Sequence, residues 1–317
     1  MTGFPVEFVS AARRGILLLA LAATASAAQV STSASRVAPP ADPDAPALVG
    51  TGNDQAMRMT VPVTIDGHGP YRFVVDTGAD RTVVSREVAT ALRLEAGNPA
   101  TLHSMSGVGE VATVILRRLG IAGRTTNEIH APALEQSNLG ANGLLGLDTL
   151  KGRRIIMDFR RKTLSILASG EREPTDPDTI VVTARTRFGQ LVLVDADVDG
   201  APITVIIDTG AQNTIGNGAL RRILGKRNRH LEFFKTELID VTGGRLPAEV
   251  AAVGHMRIGG LNIDDLVVAF ADAHPFARFG LTDRPAMLLG MDTLRGFRRV
   301  SVDFGQRKVR FLPPGAV

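Results

Sequence analysis

Short runs of aliphatic and β-branched residues, separated by glycine-rich turns, recur through most of the chain. Residues 71–75 form one such run, which ends at a turn-forming Asp-Thr-Gly segment. Runs of this length, bounded by turn formers, are typical of buried β-strands. Helix-like stretches are short, at residues 86–94 and 218–224, and each follows a suitable N-cap residue, Ser85 or Asn217. The pattern predicts an all-β fold with short helices.

The chain contains an internal repeat. In each copy an apolar strand signal is followed by Asp-Thr-Gly-Ala, at residues 76–79 and 208–211. A helix-like stretch, a glycine turn, Leu-Leu-Gly-x-Asp-Thr-Leu and a final strand signal then follow in the same order. We expect the final strands at residues 155–167 and 300–312. Because the order is shared, the repeat predicts two β-rich lobes related by a pseudo-two-fold axis.

The repeat and the composition divide the chain into five segments. We expect the first lobe at residues 56–168 and the second at residues 180–313, joined by a polar linker at residues 169–179. Residues 1–28 are predicted to be a signal peptide, because two arginines precede an apolar run too short to span a bilayer and small residues follow it. Residues 29–55, rich in Ser, Ala, Pro and Asp, are predicted to be a flexible linker.

The N-terminal segment predicts export from the cytoplasm. We therefore expect a periplasmic or secreted protein with no stable membrane insertion after signal cleavage. The alternative is a protein that stays anchored in the membrane through an uncleaved N-terminal segment. The absence of cysteine permits an oxidising compartment without requiring one.

Composition excludes several classes of site. With no cysteine, the chain has no thiolate metal site and no cysteine nucleophile. The six histidines are scattered and lack H-E-x-x-H spacing, so we expect no metal and no cofactor. The net charge of +4 comes partly from basic clusters within residues 221–230, which we expect to form a solvated face. With no Trp and one Tyr, few rings can stack on bases, so we expect no nucleic-acid partner.

The repeated aspartates indicate a chemistry that needs two carboxyls. Asp76 and Asp208 each follow an apolar strand, one per lobe, and a pseudo-two-fold axis would bring them together. Two carboxyls at about 3 Å cannot both ionise, so the pair holds one proton and can activate a water molecule. Glycine permits close backbone approach, and threonine hydroxyls can bond across the interface. We expect the loop residues to support the pair: Thr77, Gly78, Ala79, Thr209, Gly210 and Ala211.

The sequence resembles the retropepsin-like aspartic peptidases. Residues 76–82, Asp-Thr-Gly-Ala-Asp-Arg-Thr, are similar to the motif of the retroviral members, and Leu-Leu-Gly is similar to the family's apolar-apolar-Gly element. The likeness runs from about residue 57 to residue 312 and implies one chain that carries both halves of the site. The glycine turns resemble the family's flaps. The resemblance implies flap or substrate-binding roles for Asp80, Gly107, Val108, Gly109, Gly243 and Gly244.

The two halves differ at positions next to the motif. Gln212 stands in the second half where the first half has Asp80, and Asn213 stands where the first half has Arg81. The arginine that follows the apolar-apolar-Gly element in retroviral members is absent from both halves. We therefore expect the two halves of the binding cleft to differ.

Four further positions bear on the chemistry. Ala79 and Ala211 stand where pepsin-like enzymes usually have a hydroxyl residue that favours the charged carboxylate. Because alanine has no hydroxyl, we expect raised pKa values for the pair and a pH optimum from mildly acidic towards neutral. Asp148 and Asp292 follow Leu-Leu-Gly, a position that predicts helix caps rather than catalytic acids.

The sequence therefore predicts an aspartic endopeptidase, which hydrolyses peptide bonds with water activated by Asp76 and Asp208. Its partner would be a peptide or protein substrate, and we expect a monomer. The alternative is a catalytically weak module of the envelope that has the same fold and binds peptides or proteins. Intact motifs in both halves favour the enzyme, because a binding module has no need of two aspartates.

Overall fold

Both halves of the chain form β-barrels, which confirms the predicted all-β fold with short helices and two lobes. The computed structural model describes residues 47–50, 52–53, 58–171 and 176–315, and all of these belong to one compact unit, residues 41–317. The predicted signal peptide lies outside the described residues.

The segment predicted to be a flexible linker, residues 29–55, contains two strands among its described residues. β1 (Ala47–Gly50) pairs with residues 163–166, and β2 (Gly52–Asn53) pairs with residues 59–60. Backbone N–H and C=O groups in these strands gain ladder partners, which favours a fixed, extended conformation. Regular structure therefore begins upstream of residue 56, the predicted start of the first lobe.

The rest of the first half forms a barrel and a hairpin. Its further elements are β3 (Met59–Ile65), β4 (His68–Val75), β5 (Val83–Ser85), α1 (Arg86–Ala91), β6 (Glu95–Ala96), β7 (Ala100–His103), β8 (Val108–Val111), β9 (Thr113–Ile121), β10 (Arg124–Leu134), α2 (Gln136–Leu139), β11 (Gly143–Leu145), α3 (Leu147–Leu150), β12 (Arg153–Asp158) and β13 (Thr163–Ala168). The barrel sheet has the strand order β2-β3-β4-β11-β5-β10-β9-β6 and is closed by pairing of β3 with β9, whereas β7 and β8 form a separate hairpin.

The second half repeats this arrangement. Its elements are β14 (Ile180–Thr183), β15 (Arg185–Arg187), β16 (Gln190–Val198), β17 (Ala201–Ile207), β18 (Ile215–Gly216), α4 (Gly218–Arg227), β19 (Phe234–Ile239), β20 (Arg245–Ile258), β21 (Leu261–Phe270), α5 (His274–Arg278), β22 (Ala286–Leu289), α6 (Met291–Leu294), β23 (Arg299–Asp303) and β24 (Lys308–Leu312). Its barrel has the order β15-β16-β17-β22-β18-β21-β20-β19 and is closed by pairing of β16 with β20. The matching orders give the lobes their pseudo-two-fold relation.

Parallel pairing sets the ends of β4 and β17. β4 runs parallel to β11, and β17 runs parallel to β22. The last three residues of both β4 and β17 are buried, as expected for strands covered on both faces. Asp76 and Asp208 directly follow these two strands and so occupy equivalent positions in the two lobes.

A six-stranded sheet joins the lobes, with the order β1-β13-β12-β23-β24-β14. At its centre, β12 of the first half pairs directly with β23 of the second. The final strand predicted for each half is wrong in one respect, because each is a hairpin of two strands. The turns contain Lys162 and Arg307, both with φ 54°, a left-handed conformation that ends a strand.

One apolar cluster extends through both barrels and the shared sheet. It includes Val63 and Leu145 of the first lobe, Val205 and Leu289 of the second, and Phe311 of the shared sheet, each 0 % exposed. Full burial stabilises each such side chain by about 1.5–3 kcal/mol. The lobes therefore share a core as well as a sheet.

The helices are short, and both predicted N-caps are confirmed. Ser85 Oγ accepts from the Val88 N–H at 3.2 Å, and Asn217 Oδ1 accepts from the Leu220 N–H at 2.9 Å. α1 ends before its predicted end at residue 94, because Arg93 has φ 51°. Within the described part of the chain, no helix has the length and apolar character needed to cross a membrane.

The shared sheet contains a buried ion pair between the halves. Arg154 of β12 lies opposite Asp303 of β23 and donates to its carboxylate at 2.8 Å. Asp303 is 0 % exposed and also accepts from Ser169 Oγ at 2.6 Å. Burial alone would raise the pKa of Asp303, but hydrogen bonds from Ser169, the Gln306 N–H and Arg154 hold it below its ordinary value. Removing the Asp303 charge would leave Arg154 without this partner in the interior.

We therefore expect Asp303→Asn to lower the free energy of unfolding by about 3–5 kcal/mol, because it breaks a buried pair. Glu95→Gln is the matched control: it breaks the exposed pair of Glu95 with Arg117, and the expected loss is at most about 1 kcal/mol. Urea denaturation of the wild type and both variants measures the difference. Equal losses in the two variants would contradict a structural role for the buried pair.

Candidate active site

The two Asp-Thr-Gly-Ala segments, which we name the first and second aspartate loops, meet where the lobes join. A Cβ at Gly78 would overlap the carboxyl of Asp208, and a Cβ at Gly210 would overlap the carboxyl of Asp76. Each glycine backbone therefore lies directly against the aspartate of the opposite lobe. No residue with a side chain fits at either position without displacing a carboxyl.

Reciprocal hydrogen bonds join the two loops. Thr77 Oγ1 donates to the Ile207 carbonyl at 2.8 Å and accepts from the Thr209 N–H at 3.1 Å. Thr209 Oγ1 donates to the Val75 carbonyl at 2.7 Å and accepts from the Thr77 N–H at 3.1 Å. Both threonines are 1 % exposed, so these groups have no access to water as an alternative partner. The bonds fix the distance and orientation of one loop relative to the other.

Backbone donors hold one oxygen of each carboxyl. Asp76 Oδ1 accepts from the N–H groups two and three residues ahead, at 2.8 and 3.0 Å. Asp208 Oδ1 accepts from the equivalent groups at 3.0 and 3.1 Å. Each loop thus turns back on its own aspartate and fixes the side chain in the same way in both lobes.

Asp76 is buried and Asp208 is half-buried where the two loops meet, and this changes the pKa of each carboxyl. Burial raises the pKa of Asp76, and burial together with the charge of Asp76 raises the pKa of Asp208 to about 7. The loop N–H groups and the charge of Arg58 act in the opposite direction without cancelling the rise. A rise in the pKa values of the pair is what Ala79 and Ala211 led us to expect. Its largest cause, however, is burial rather than a missing hydroxyl group.

The Leu-Leu-Gly segments run directly behind the aspartate loops. A Cβ at Gly146 would overlap the backbone of Arg81, and a Cβ at Gly290 would overlap the backbone of Asn213. The N–H groups of Asp76 and Asp208 bond to the carbonyls of the second leucine, at 3.0 and 3.1 Å. Glycine is therefore needed at this crossing because two backbone segments are in contact.

The predicted helix-cap role of Asp148 and Asp292 is wrong. In α3 and α6 the preceding glycine holds the N-cap position, with no side-chain cap bond. Asp148 instead accepts from the N–H and hydroxyl of Thr82, at 2.9 and 2.7 Å, and Asp292 accepts from those of Thr214, at 2.9 and 2.6 Å. These bonds anchor the end of each aspartate loop. The sequence signal was a threonine six residues after each aspartate.

Two buried side chains that the sequence did not single out reach across the interface. Arg58 Nη1 donates to the Gly210 carbonyl at 3.0 Å, and its Nη2 donates to the Leu139 carbonyl. Gln190 Nε2 donates to the Gly78 carbonyl at 2.6 Å. Each side chain comes from one lobe and holds the aspartate loop of the other.

Asp80 has a partner from the opposite lobe. Arg278 of α5 donates to Asp80 Oδ2 at 2.5 Å, and its guanidinium also lies over the Phe188 ring, 5.2 Å from the centroid. Gln212, the counterpart of Asp80, is exposed. The sequence departures next to the motif thus correspond to a structural difference between the two halves of the chain.

The hairpins that carry the predicted flap glycines contact each other. We name residues 100–111 the first flap and residues 234–250 the second. Gly107 (φ +152°) lies in the turn of the first flap and Gly243 (φ +82°) in the turn of the second, where glycine is favoured. Val108 and Gly109 lie on β8 rather than in the turn. A Cβ at Gly244 would overlap the Ser106 side chain, so the two turns are in contact.

A carboxylate joins the two flap turns. Ser106 of the first flap donates to Asp240 Oδ2 of the second through its N–H at 3.0 Å and its hydroxyl at 2.6 Å. Thr242 donates to the other oxygen of Asp240 at 2.6 Å. Burial favours the neutral acid, but hydrogen bonds from Ser106, Thr242 and Ser104 hold the pKa of Asp240 well below its usual range. The group joining the flaps is therefore charged at neutral pH.

Each flap also packs onto the opposite lobe. Met105 of the first flap packs against the second-lobe cluster that contains Ile206, and Val241 of the second flap packs against the first-lobe cluster that contains Val74. Val74 and Ile206 each lie two residues before an aspartate of the pair. The flaps therefore pack on the same apolar clusters that contain the strand residues leading to the two carboxyls.

Two histidines add a further contact between the first flap and the second lobe. His103 Nδ1 lies 2.9 Å from His274 Nε2, and the two rings stack. Burial, together with the neighbouring His103 and Arg278, lowers the pKa of His274. Among the described residues, no three His, Cys, Asp or Glu side chains lie close enough together to hold a metal ion.

We expect Thr209→Val to lower the free energy of unfolding by about 2–4 kcal/mol, because the Val75 carbonyl and the Thr77 N–H lose their partner away from water. Thr183→Val on β14 is the matched control, since Thr183 is exposed and the expected change is within about 0.5 kcal/mol. Chemical denaturation of both variants provides the measurement. A loss at position 209 no larger than at position 183 would contradict the role of the reciprocal bonds.

The acidity of Asp208 predicts how stability depends on pH. Because its pKa rises from 3.8 to about 7 on folding, the folded protein binds more protons than the unfolded chain between these pH values. Stability should therefore fall as the pH rises through this window, by up to about 4 kcal/mol from this group. We expect Asp208→Asn to reduce that fall, as measured by urea denaturation at several pH values. Asp265→Asn, at an exposed position, is the control; an unchanged pH dependence in both variants would exclude this origin.

Family models match both lobes. The model of gag-polyprotein aspartyl proteases matches residues 61–152, and an aspartyl protease model matches residues 194–293. No curated protein sequence matches the chain significantly. Each matched region lies in one lobe and contains one aspartate loop, and together they cover more than half of the chain. The chain therefore belongs to the aspartyl protease family, as a duplicated, retropepsin-like member with both domains in tandem.

Proposed function

We propose that this protein is an aspartic endopeptidase in which Asp76 and Asp208 act together on a water molecule. The observation that carries the proposal is the placement of each carboxyl against the glycine of the opposite aspartate loop. The raised pKa values of both groups support it, because a pair that retains one proton near neutral pH is what the reaction requires. A fold that merely binds peptides does not need two carboxyls that each lie against the aspartate loop of the other lobe.

The chemistry follows from the shared proton. The ionised carboxyl accepts a proton from water as the oxygen attacks the carbonyl carbon of the scissile peptide bond. The protonated carboxyl donates to the carbonyl oxygen, which gains negative charge during the attack. The resulting tetrahedral intermediate collapses when the first carboxyl passes the proton that it took from water to the leaving nitrogen. The C–N bond then breaks, and the second carboxyl regains a proton from a hydroxyl of the intermediate as the C=O bond forms again. Because the two groups titrate as a pair, neither aspartate is permanently the acid or the base.

We propose that the substrate lies as an extended strand between the aspartate loops and the two flaps. Main-chain hydrogen bonds would then supply most of the affinity, as in other strand-addition complexes. The flaps would open for entry by separating Ser106 from Asp240, and closing them would exclude water from the reaction. The pair of Asp80 with Arg278 gives one half of the cleft a charged feature that Gln212 does not provide in the other.

The decisive experiment is cleavage of a peptide library by the wild type, Asp76→Asn and Asp208→Asn between about pH 3 and pH 8. We expect each single variant to lose activity by about 1,000-fold or more, since groups that act as a unit are individually indispensable. The wild type should have its optimum from mildly acidic towards neutral pH, because the pKa of Asp208 is about 7.

Asp265→Asn is the control for this experiment, because it makes the same substitution at an exposed position on β21. Circular dichroism and thermal unfolding establish that each variant is folded. Full activity in either dyad variant would reject the paired mechanism. A folded wild type that binds peptides without cleaving any of them would favour the binding module instead.

A further inference from the structure

Arg58 and Gln190 occupy equivalent positions in the two halves of the chain. Each lies 18 residues before the aspartate of its own lobe, Asp76 or Asp208. Each is almost fully buried, with 6 % and 5 % of its surface exposed. Each donates a hydrogen bond to the glycine carbonyl of the opposite aspartate loop, at 3.0 Å for Arg58 and 2.6 Å for Gln190. The two side chains therefore perform the same positioning task with different charges.

The charge difference between Arg58 and Gln190 affects the carboxyl pair. Arg58 holds the second aspartate loop through the carbonyl of Gly210, the residue whose backbone lies against the Asp76 carboxyl. An arginine guanidinium carries a positive charge, whereas a glutamine amide is neutral. A buried cation favours the ionised form of nearby carboxylates, and its charge lowers the pKa of both Asp76 and Asp208 against the larger effect of burial.

We propose that Arg58 is a positioning residue with a second effect: it holds the second aspartate loop in place and moves the pH range in which the carboxyl pair carries one proton to lower pH. Gln190 holds the first loop without this electrostatic effect. The inference rests on the proposed function, since it concerns the working range of the same pair. In this proposal the positive charge of Arg58 sets the pH range in which the carboxyl pair carries one proton.

Burial makes this effect larger than at a surface. Charges that lie away from water interact through a lower effective dielectric, so a single cation near a buried acid shifts its ionisation more than an exposed cation does. Arg58 is also held by the Leu139 carbonyl, which fixes the guanidinium at the interface. The effect is therefore built into the folded protein and does not depend on a bound ligand.

Arg58→Gln tests the proposal, because it places at position 58 the residue that already serves at position 190. We expect the apparent pKa values of Asp76 and Asp208, measured by carboxyl ¹³C NMR titration, to rise by about one unit. The limbs of the pH profile of kcat/KM should move to higher pH by a similar amount. The Asp76→Asn and Asp208→Asn variants identify the two resonances by their loss.

Two control variants separate charge from hydrogen bonding. Arg58→Lys keeps the charge, so its midpoints should stay close to those of the wild type. Gln190→Leu removes the equivalent hydrogen bond without changing charge, so it should weaken the loop and lower kcat/KM across the profile without moving the limbs. A loss of activity in Arg58→Gln at every pH, with unmoved NMR midpoints, would show a structural role alone and overturn the proposal.

A further variant covers the case in which Arg58→Gln does not fold. Gln190→Lys introduces a cation at the equivalent position, and we expect it to move both midpoints to lower pH; unmoved midpoints would overturn the proposal. The NMR titration needs no turnover. Wild-type protein that cleaves no peptide would therefore reject the proposed function, while the titration would still decide whether Arg58 sets the acidity of the pair.

Discussion

The site depends on four hydrogen bonds of 2.7–3.1 Å between Thr77, Thr209 and the carbonyls that precede the opposite aspartates. Desolvation and mutual repulsion both oppose ionised carboxyls at this interface. Without contacts that hold the two loops together, water would reach the carboxyls. The pKa of each carboxyl would then return towards its ordinary value. Because the hydroxyl of each threonine bonds to groups of the other lobe, neither lobe provides these partners alone. The carboxyl pair therefore exists only when the lobes are docked.

The remaining structure makes that docking rigid. The central sheet pairs β12 with β23, and the shared apolar core continues through it, so the lobes cannot rotate freely about the aspartate loops. Glycines at positions 78 and 210 allow the backbones to approach. The flap turns add further contacts between the halves, since Met105 and Val241 each pack on the lobe opposite their own. A pair of carboxyls keeps one fixed arrangement only when the groups that hold it are themselves fixed.

Local pattern and repetition were sufficient to predict the lobes, the helix caps Ser85 and Asn217, and the residues of the aspartate loops. The periodicity of a strand reports which face is buried, and a repeat reports which elements are equivalent. Neither reports which distant side chain fills a given space. The contacts of Arg58 with Gly210 and of Arg278 with Asp80 join residues 152 and 198 positions apart. The cap role expected for Asp148 was wrong for the same reason, since its partner Thr82 belongs to another segment.

A duplicated chain can carry differences that a symmetric pair of identical chains cannot. In a homodimer, any residue placed before one aspartate is also placed before the other, so a cation on one side implies a cation on both. Here Arg58 and Gln190 occupy equivalent positions, and Asp80 has an arginine partner where Gln212 is exposed. Thr77 and Thr209, in contrast, make equivalent hydrogen bonds in the two halves. The two halves are thus identical where the loops bond to each other, and they differ at neighbouring positions whose charge can change without breaking those bonds.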